Sequence, residues 1–260
     1  MHSVTCVTRR VQHDSPDCRP VLRRIRVHAP FVYGLTNYVA ATLSANVLLA
    51  AGAAPAIGAA PGWPAAFGAG AGGLWVNAAG LINATVRDML AAIDAANAAA
   101  VPWVLDPVAM GAGAAEYDDI IRSMAARRPA VIRGNASEIM ALAGGAATAR
   151  GVETTASITQ AVPLGQELAH RLGAIVAISG PEDHVLSPDG AQIIIPGGHI
   201  WLTAVTGAGC ALGGLIAASL AVTSRPDERL TAVAAVHALY ARAAEKAAGP
   251  AQGPASFATG

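Results

Sequence analysis

From Phe31 onward, short apolar runs end in polar residues and give way to helical patterns, over and over. The strand-like runs cover residues 31–35, 55–57, 74–76, 103–105, 130–132 and 174–178. Helical segments cover residues 37–51, 83–99, 115–128, 136–143 and 160–172. Runs apolar on both faces, separated by helices, predict an α/β fold around a mostly parallel, buried sheet. Residues 184–186 and 192–195 flank Ser187-Pro188-Asp189-Gly190, whose Asp-Gly pair predicts a hairpin. Two further helices, 208–222 and 227–247, close the chain. Residues 1–26 are polar and arginine-rich and read as a flexible extension, helical near 21–26, ahead of one domain over residues 27–260.

The chain of 260 residues is 53% hydrophobic, enough for a large core, but only 4% aromatic, which suits close helix–sheet packing. Seventeen basic residues balance 17 acidic ones, so no global field recruits nucleic acid or a membrane surface. The longest apolar stretch, residues 39–60, is interrupted by Asn46, Gly52, Pro55 and Gly58, and is not read as a membrane span. Arg9, Arg10, Asp14, Asp17 and Arg19 break up any apolar leader. Three cysteines, Cys6, Cys18 and Cys210, make no disulfide framework, and the expected location is cytoplasmic.

In an open parallel sheet, ligands bind beyond the carboxyl ends of the strands. The residues at those ends are Thr36-Asn37, Asn77, Asp106-Pro107, Arg133-Gly134-Asn135 and Ser179-Gly180. The run Val205-Thr206-Gly207-Ala208-Gly209-Cys210 then opens a helix. Its glycines turn the backbone tightly and aim N–H groups at one spot, which also receives the positive end of the helix dipole. An anion cradle beside a possible base suits phosphoryl transfer, which needs a held nucleotide, a metal, neutralised charge and a base. G-x-x-x-x-G-K-[ST] does not occur, and G-x-G-x-x-G is missing at the first strand–helix turn, so neither a P-loop nor a dinucleotide fold is expected.

Each residue also has a plainer reading. Cys210 is either a base, its thiolate favoured by the helix N-terminus, or a small buried hydrophobe. Asp106 either holds a metal through water or caps a turn. Glu138 either joins Asp106 at a Mg²⁺-bound water or completes a capping box with Asn135. Arg133 clamps phosphate or forms an ion pair; Asn37 serves a substrate or caps a helix. His28, His170, His184, His199 and His237 show no metal-ligand spacing, and no role is assigned to them.

Four segments together resemble the hydroxyethylthiazole kinases, thiamine-salvage enzymes of the ribokinase-like superfamily. They are Thr36-Asn37-Tyr38-Val39 with residues 45–53, Val104-Leu105-Asp106-Pro107-Val108, residues 132–138, and the 205–210 glycine loop. Cysteine in that loop, where many sugar kinases carry aspartate, marks the thiazole-kinase branch. The resemblance implies an αβα three-layer domain, usually a homotrimer with the thiazole pocket between subunits. It implies ATP, Mg²⁺ and phosphorylation of the primary hydroxyl of 4-methyl-5-(2-hydroxyethyl)thiazole. It implies Asn37 and Gly207 at the alcohol, with Ile57 in the thiazole pocket. Arg133, Ser179 and Thr206 would stand at ATP, and Asp106 and Glu138 at Mg²⁺. The amides of Gly207, Ala208 and Gly209 would form the anion hole, with Cys210 as base.

Some positions depart from the family pattern. Ile57 replaces the usual methionine and Tyr33 a usual histidine, residues 77–81 read Asn-Ala-Ala-Gly-Leu, and residues 59–73 lack acidic groups. These touch the substrate side more than the charge machinery. The alternatives are a kinase for another vitamin precursor, such as hydroxymethylpyrimidine, and a non-catalytic binding protein on the same fold.

Overall fold

The computed structural model describes residues 8–144 and 157–260. Among the described residues nine strands form one sheet: β1 (Thr8–Arg10), β2 (Phe31–Leu35), β3 (Ala54–Ile57), β4 (Gly73–Asn77), β5 (Trp103–Asp106), β6 (Val131–Asn135), β7 (Ile175–Ser179), β8 (Glu182–Leu186) and β9 (Gln192–Pro196). Their order is β1-β9-β8-β7-β6-β5-β4-β2-β3. Every pairing is parallel except those of β8 with β7 and β9. The β8–β9 turn closes with Ser187 N–H on Ala191 O and Gly190 N–H on Ser187 O, the hairpin that Asp189-Gly190 predicts.

Among the described residues, besides three short 3-10 helices, are ten α-helices: α1 (Cys18–His28), α2 (Tyr38–Ala51), α3 (Trp63–Gly70), α4 (Val86–Ala98), α5 (Ala115–Ala125), α6 (Ala136–Ala143), α7 (Ile158–Leu172), α8 (Ala208–Ala221), α9 (Arg229–Ala248) and α10 (Pro254–Phe257). Side chains alternate across the central strands. Leu74, Val76, Trp103 and Leu105 join α4 to α7 in one core, whereas Trp75 and Val104 join α1, α2, α8 and α9 in the other. The result is the expected αβα layering. α8 is apolar on all sides and buried on nearly all of them, as such a helix requires.

Two segments differ from the sequence reading. Within residues 8–26, part of the expected flexible extension, β1 pairs with β9 and α1 begins and lies on α9, with Val11, Cys18, Val21 and Ile25 buried. The apolar spacing Cys18, Val21, Ile25 places one stripe on the core, enough to dock an otherwise charged helix. Residues 1–7 of that extension lie outside the described residues. The glycine-rich stretch 59–73 contains α3, because Gly68 lets it touch α4: a Cβ there would lie 2.5 Å from Ala92 O.

Candidate active site

The parallel register brings the polar strand ends to one edge. Asn77 pairs with Asp106 across β4 and β5, and Asn135 with Ser179 across β6 and β7. Asp106 is fully buried. Its Oδ2 accepts from Asn77 Nδ2 at 3.4 Å, and its Oδ1, 3.5 Å from Arg133 Nη1, accepts no hydrogen bond. Burial raises the Asp106 carboxyl to about 7; Arg133 pulls it down and Glu138 pushes it up. Arg133 is buried too, and its Nη2 donates to Ser179 Oγ at 2.9 Å.

The first turn of α8 lies on this cluster. Gly207 is its N-cap at φ +88°, left-handed backbone that favours glycine, and no side chain caps the helix. The Ala208 N–H donates to Val205 O at 3.2 Å, so the turn itself uses one of the amides expected in the anion hole. Gly209 leaves room for the arginine: a Cβ there would lie 2.8 Å from Arg133 Nη1 and 3.0 Å from Nη2. One turn on, a Cβ at Gly213 would meet Trp75 Nε1 at 2.6 Å and Asp106 Oδ2 at 3.1 Å. Tyr240 of α9 donates its hydroxyl to Ala208 O at 2.9 Å and ties down the start of α8. Thr206, in the same turn, is exposed.

Cys210 is mostly enclosed here. Burial and the Asp106 carboxylate push its thiol up to about 11, against Arg133 and a hydrogen bond from Asn77 that pull it down. The expectation that the helix N-terminus favours a thiolate thus meets the opposite shift. Loss of water and two nearby carboxylates drive that shift.

Glu138 forms the capping box: Asn135 N–H donates to its Oε2 at 2.8 Å and its own N–H to Asn135 Oδ1 at 2.9 Å. Its Oε1 accepts from Ala109 N–H at 3.0 Å, which also holds the loop after Asp106. Asn37 caps α2, accepting from Ala40 N–H at 2.8 Å. Ala40 in turn touches the glycine turn: a Cβ on Gly207 would lie 3.0 Å from its Cα, so α2 and α8 begin side by side. Ile57 ends the edge strand β3, half-buried. Tyr33 is buried behind that strand and donates to Gly58 O at 2.7 Å.

The structure thus gathers Asp106, Arg133, Ser179 and the glycine turn, with Asn37 beside the turn and Ile57 farther along the same edge. Trp75, Asn77, Asp183, His237 and Tyr240 also belong to this region. Of these only Asn77 is visible in the sequence, as a strand end; the others become neighbours only through the fold. Among the described residues no group of three or more His, Cys, Asp and Glu side chains is placed to hold a metal, and no helix is long and apolar enough to cross a membrane.

A sequence profile of the hydroxyethylthiazole kinase family matches residues 22–260. A hydroxyethylthiazole kinase of Burkholderia pseudomallei is 57% identical over 249 residues, 95% of this chain and 88% of that one. The solved structure of hydroxyethylthiazole kinase from Pyrococcus horikoshii OT3 superimposes with a TM-score of 0.79 at 32% identity, over 92% of this chain and 89% of that one. The pyridoxal kinase of Staphylococcus aureus shares the fold, with a TM-score of 0.60 at 16% identity, over 83% and 88% of the two chains. Extended similarity at this identity, over a sheet edge that gathers a buried carboxylate, a buried arginine and a glycine turn, leaves one conclusion: the chain belongs to the hydroxyethylthiazole kinase family.

Proposed function

We propose that the chain forms a single cytoplasmic kinase domain, β1 and α1 included, that transfers the γ-phosphoryl group of ATP to the primary hydroxyl of 4-methyl-5-(2-hydroxyethyl)thiazole. The observation that carries this reading is the convergence of Arg133, Ser179 and the uncapped first turn of α8 beside buried Asp106. In it, Arg133, Ser179 and Thr206 hold the phosphates. The amides of Gly207, Ala208 and Gly209 receive the transferring group, the Ala208 N–H leaving Val205 O to do so. Asn37 and Gly207 hold the alcohol, and Ile57 borders the ring. Catalysis is then positioning and preorganised electrostatics.

Mg²⁺ fits the residues present. Asp106 Oδ1 is a buried acceptor without a hydrogen bond, and each Glu138 oxygen has spent only one lone pair, on a backbone N–H. Two carboxylates suit a cation that keeps its water and shares the nucleotide phosphates. When bound, Mg²⁺ neutralises charge on the phosphate oxygens. Asp106 and Glu138 are the residues that would hold it.

Cys210 is assigned as the base for the alcohol proton. One observation favours a second reading. With the thiol at about 11, the thiolate population at pH 7 is about one in ten thousand, a cost of about 5 kcal/mol. In that reading Cys210 only orients the hydroxyl, and a loose phosphoryl transition state asks little of a base. The activity itself is tested by ADP release from purified protein with the thiazole alcohol and hydroxymethylpyrimidine side by side. Turnover of the thiazole alcohol alone is expected. Preference for the pyrimidine would move the assignment to that substrate, and binding without ADP release would make the chain a binding protein.

A further inference from the structure

His237 of α9 is fully enclosed. Its Nδ1 lies 2.7 Å from Asp183 Oδ2, while Nε2 is buried without a hydrogen-bond partner. A leucine would fill such a slot without leaving an orphaned ring nitrogen, so burial alone does not explain a histidine here. Asp183, on β8, is engaged through both oxygens: its Oδ1 accepts from Gly180 N–H at 3.0 Å. Gly180 follows Ser179, whose Oγ accepts from Arg133 Nη2 at 2.9 Å. A continuous polar chain therefore runs from α9 through Asp183 to the turn at 179–180, then through Arg133 to Asp106. Of the five histidines weighed from spacing alone, this one reaches the site through a single carboxylate.

We propose that His237 and Asp183 are positioning residues for the nucleotide. They fix the Ser179-Gly180 turn so that Ser179 and Arg133 present donors to the phosphate oxygens of a nucleoside triphosphate. Carboxylate Asp183 takes the Nδ1–H of His237 on one oxygen and the Gly180 amide on the other, which sets where β7 ends. This inference rests on the reading of Ser179 and Arg133 as phosphate contacts.

The test is calorimetric titration of the full chain with ATP in the presence of Mg²⁺, and separately with the thiazole alcohol, alongside Tm. His237→Leu and Asp183→Ala are each expected to raise the ATP Kd at least fivefold and to leave the alcohol Kd within twofold. His237→Asn, whose amide donor takes the place of Nδ1–H, is expected to restore the ATP Kd to within twofold of wild type. Should His237→Leu not fold, Asp183→Ala carries the test, because Asp183 is partly exposed and its loss empties no core volume. A lowered Tm with the ATP Kd unchanged would make the pair purely structural and overturn the proposal. Ser179→Ala separates the two levels. If it weakens ATP while the His237 and Asp183 variants do not, the positioning inference fails alone; if it leaves ATP affinity unchanged, the phosphate-contact reading fails and the inference goes with it.

Discussion

At Cys210 and Asp106 the same burial drives two opposite demands. Burial strengthens every fixed dipole that would act on a transferring phosphoryl group, but it also raises both acids, Cys210 to about 11 and Asp106 to about 7. If Cys210 is the base, activity follows its thiolate. The rate of turnover should then climb about tenfold per pH unit from 7 to 9, and Cys210→Ala should lower kcat by about 10²–10⁴ with little change in ATP affinity. Cys210→Asp, a carboxylate able to accept the same proton, should keep substantial activity and flatten that rise. Wild-type turnover in Cys210→Ala would remove the base role. Asp106 makes a different prediction, about stability. Its folded value lies above its unfolded one, so its contribution is fully present below about pH 4 and is lost as pH rises through about 7. Asp106→Asn should therefore raise Tm at pH 8 but not at pH 4, while abolishing kinase activity. Thermal melts at the two pH values check this, and equal shifts at both would show that ionisation of Asp106 carries no cost.

Among the elements, α8 is the most constrained, because at Gly209 and Gly213 its first two turns pass so close to Arg133, Trp75 and Asp106 that no side chain fits. Gly213→Ala would place a methyl 2.6 Å from Trp75 Nε1 and press on the Asp106 carboxylate. Overpacking of this kind should cost about 1–3 kcal/mol in denaturant unfolding, with a loss of activity larger than the stability change explains; a neutral result would mean that α8 shifts freely. Much of this was readable beforehand. Strands β2 and β4 to β7 announce themselves because each is buried on both faces, and a parallel sheet sends all their polar ends to one edge. The glycine loop was readable for its composition. Pairs such as His237 with Asp183, or Gly213 with Trp75, were not, because no local period links residues that meet only across layers. α1 is legible only in part, as a helical stretch near 21–26, because its arginines mask a regular apolar spacing, Cys18, Val21 and Ile25. Since Ile25 is buried against α9 and its neighbours, Ile25→Ala should destabilise by about 2–4 kcal/mol in the same unfolding assay. A flexible extension would show no change.

At the scale of the whole molecule, α2 poses the open question. It is apolar on nearly every side, as α8 is, yet only Ala40, Ser44 and Leu48 are buried. Tyr38 is 71% exposed and Leu49 59% exposed, with Val39 beside them. Tyr38 and Leu49 lie eleven residues apart, close to three full turns, so they share one stripe. An apolar stripe beside the edge strand β3, which also carries Ile57, is the kind of surface that another copy of the chain covers. The resemblance to the family suggests a homotrimer with the thiazole pocket between subunits, and on that reading Ile57, on the edge strand β3, would line one wall of it. Sedimentation of the wild type at micromolar concentration should then give the mass of three chains. Leu49→Glu should shift it toward one chain with its secondary structure intact, because a charge desolvated at such a contact has no partner. The same variant should raise KM for the thiazole alcohol at least tenfold while ATP affinity stays within about twofold, since the proposed phosphate side of the site is built from β5 to β7 and α8 of one chain. Wild-type protein that sediments as a single chain would leave the α2 stripe without its partner copy. A Leu49→Glu monomer with unchanged KM would place the whole pocket within one chain and return Ile57 to the role of an edge-strand residue.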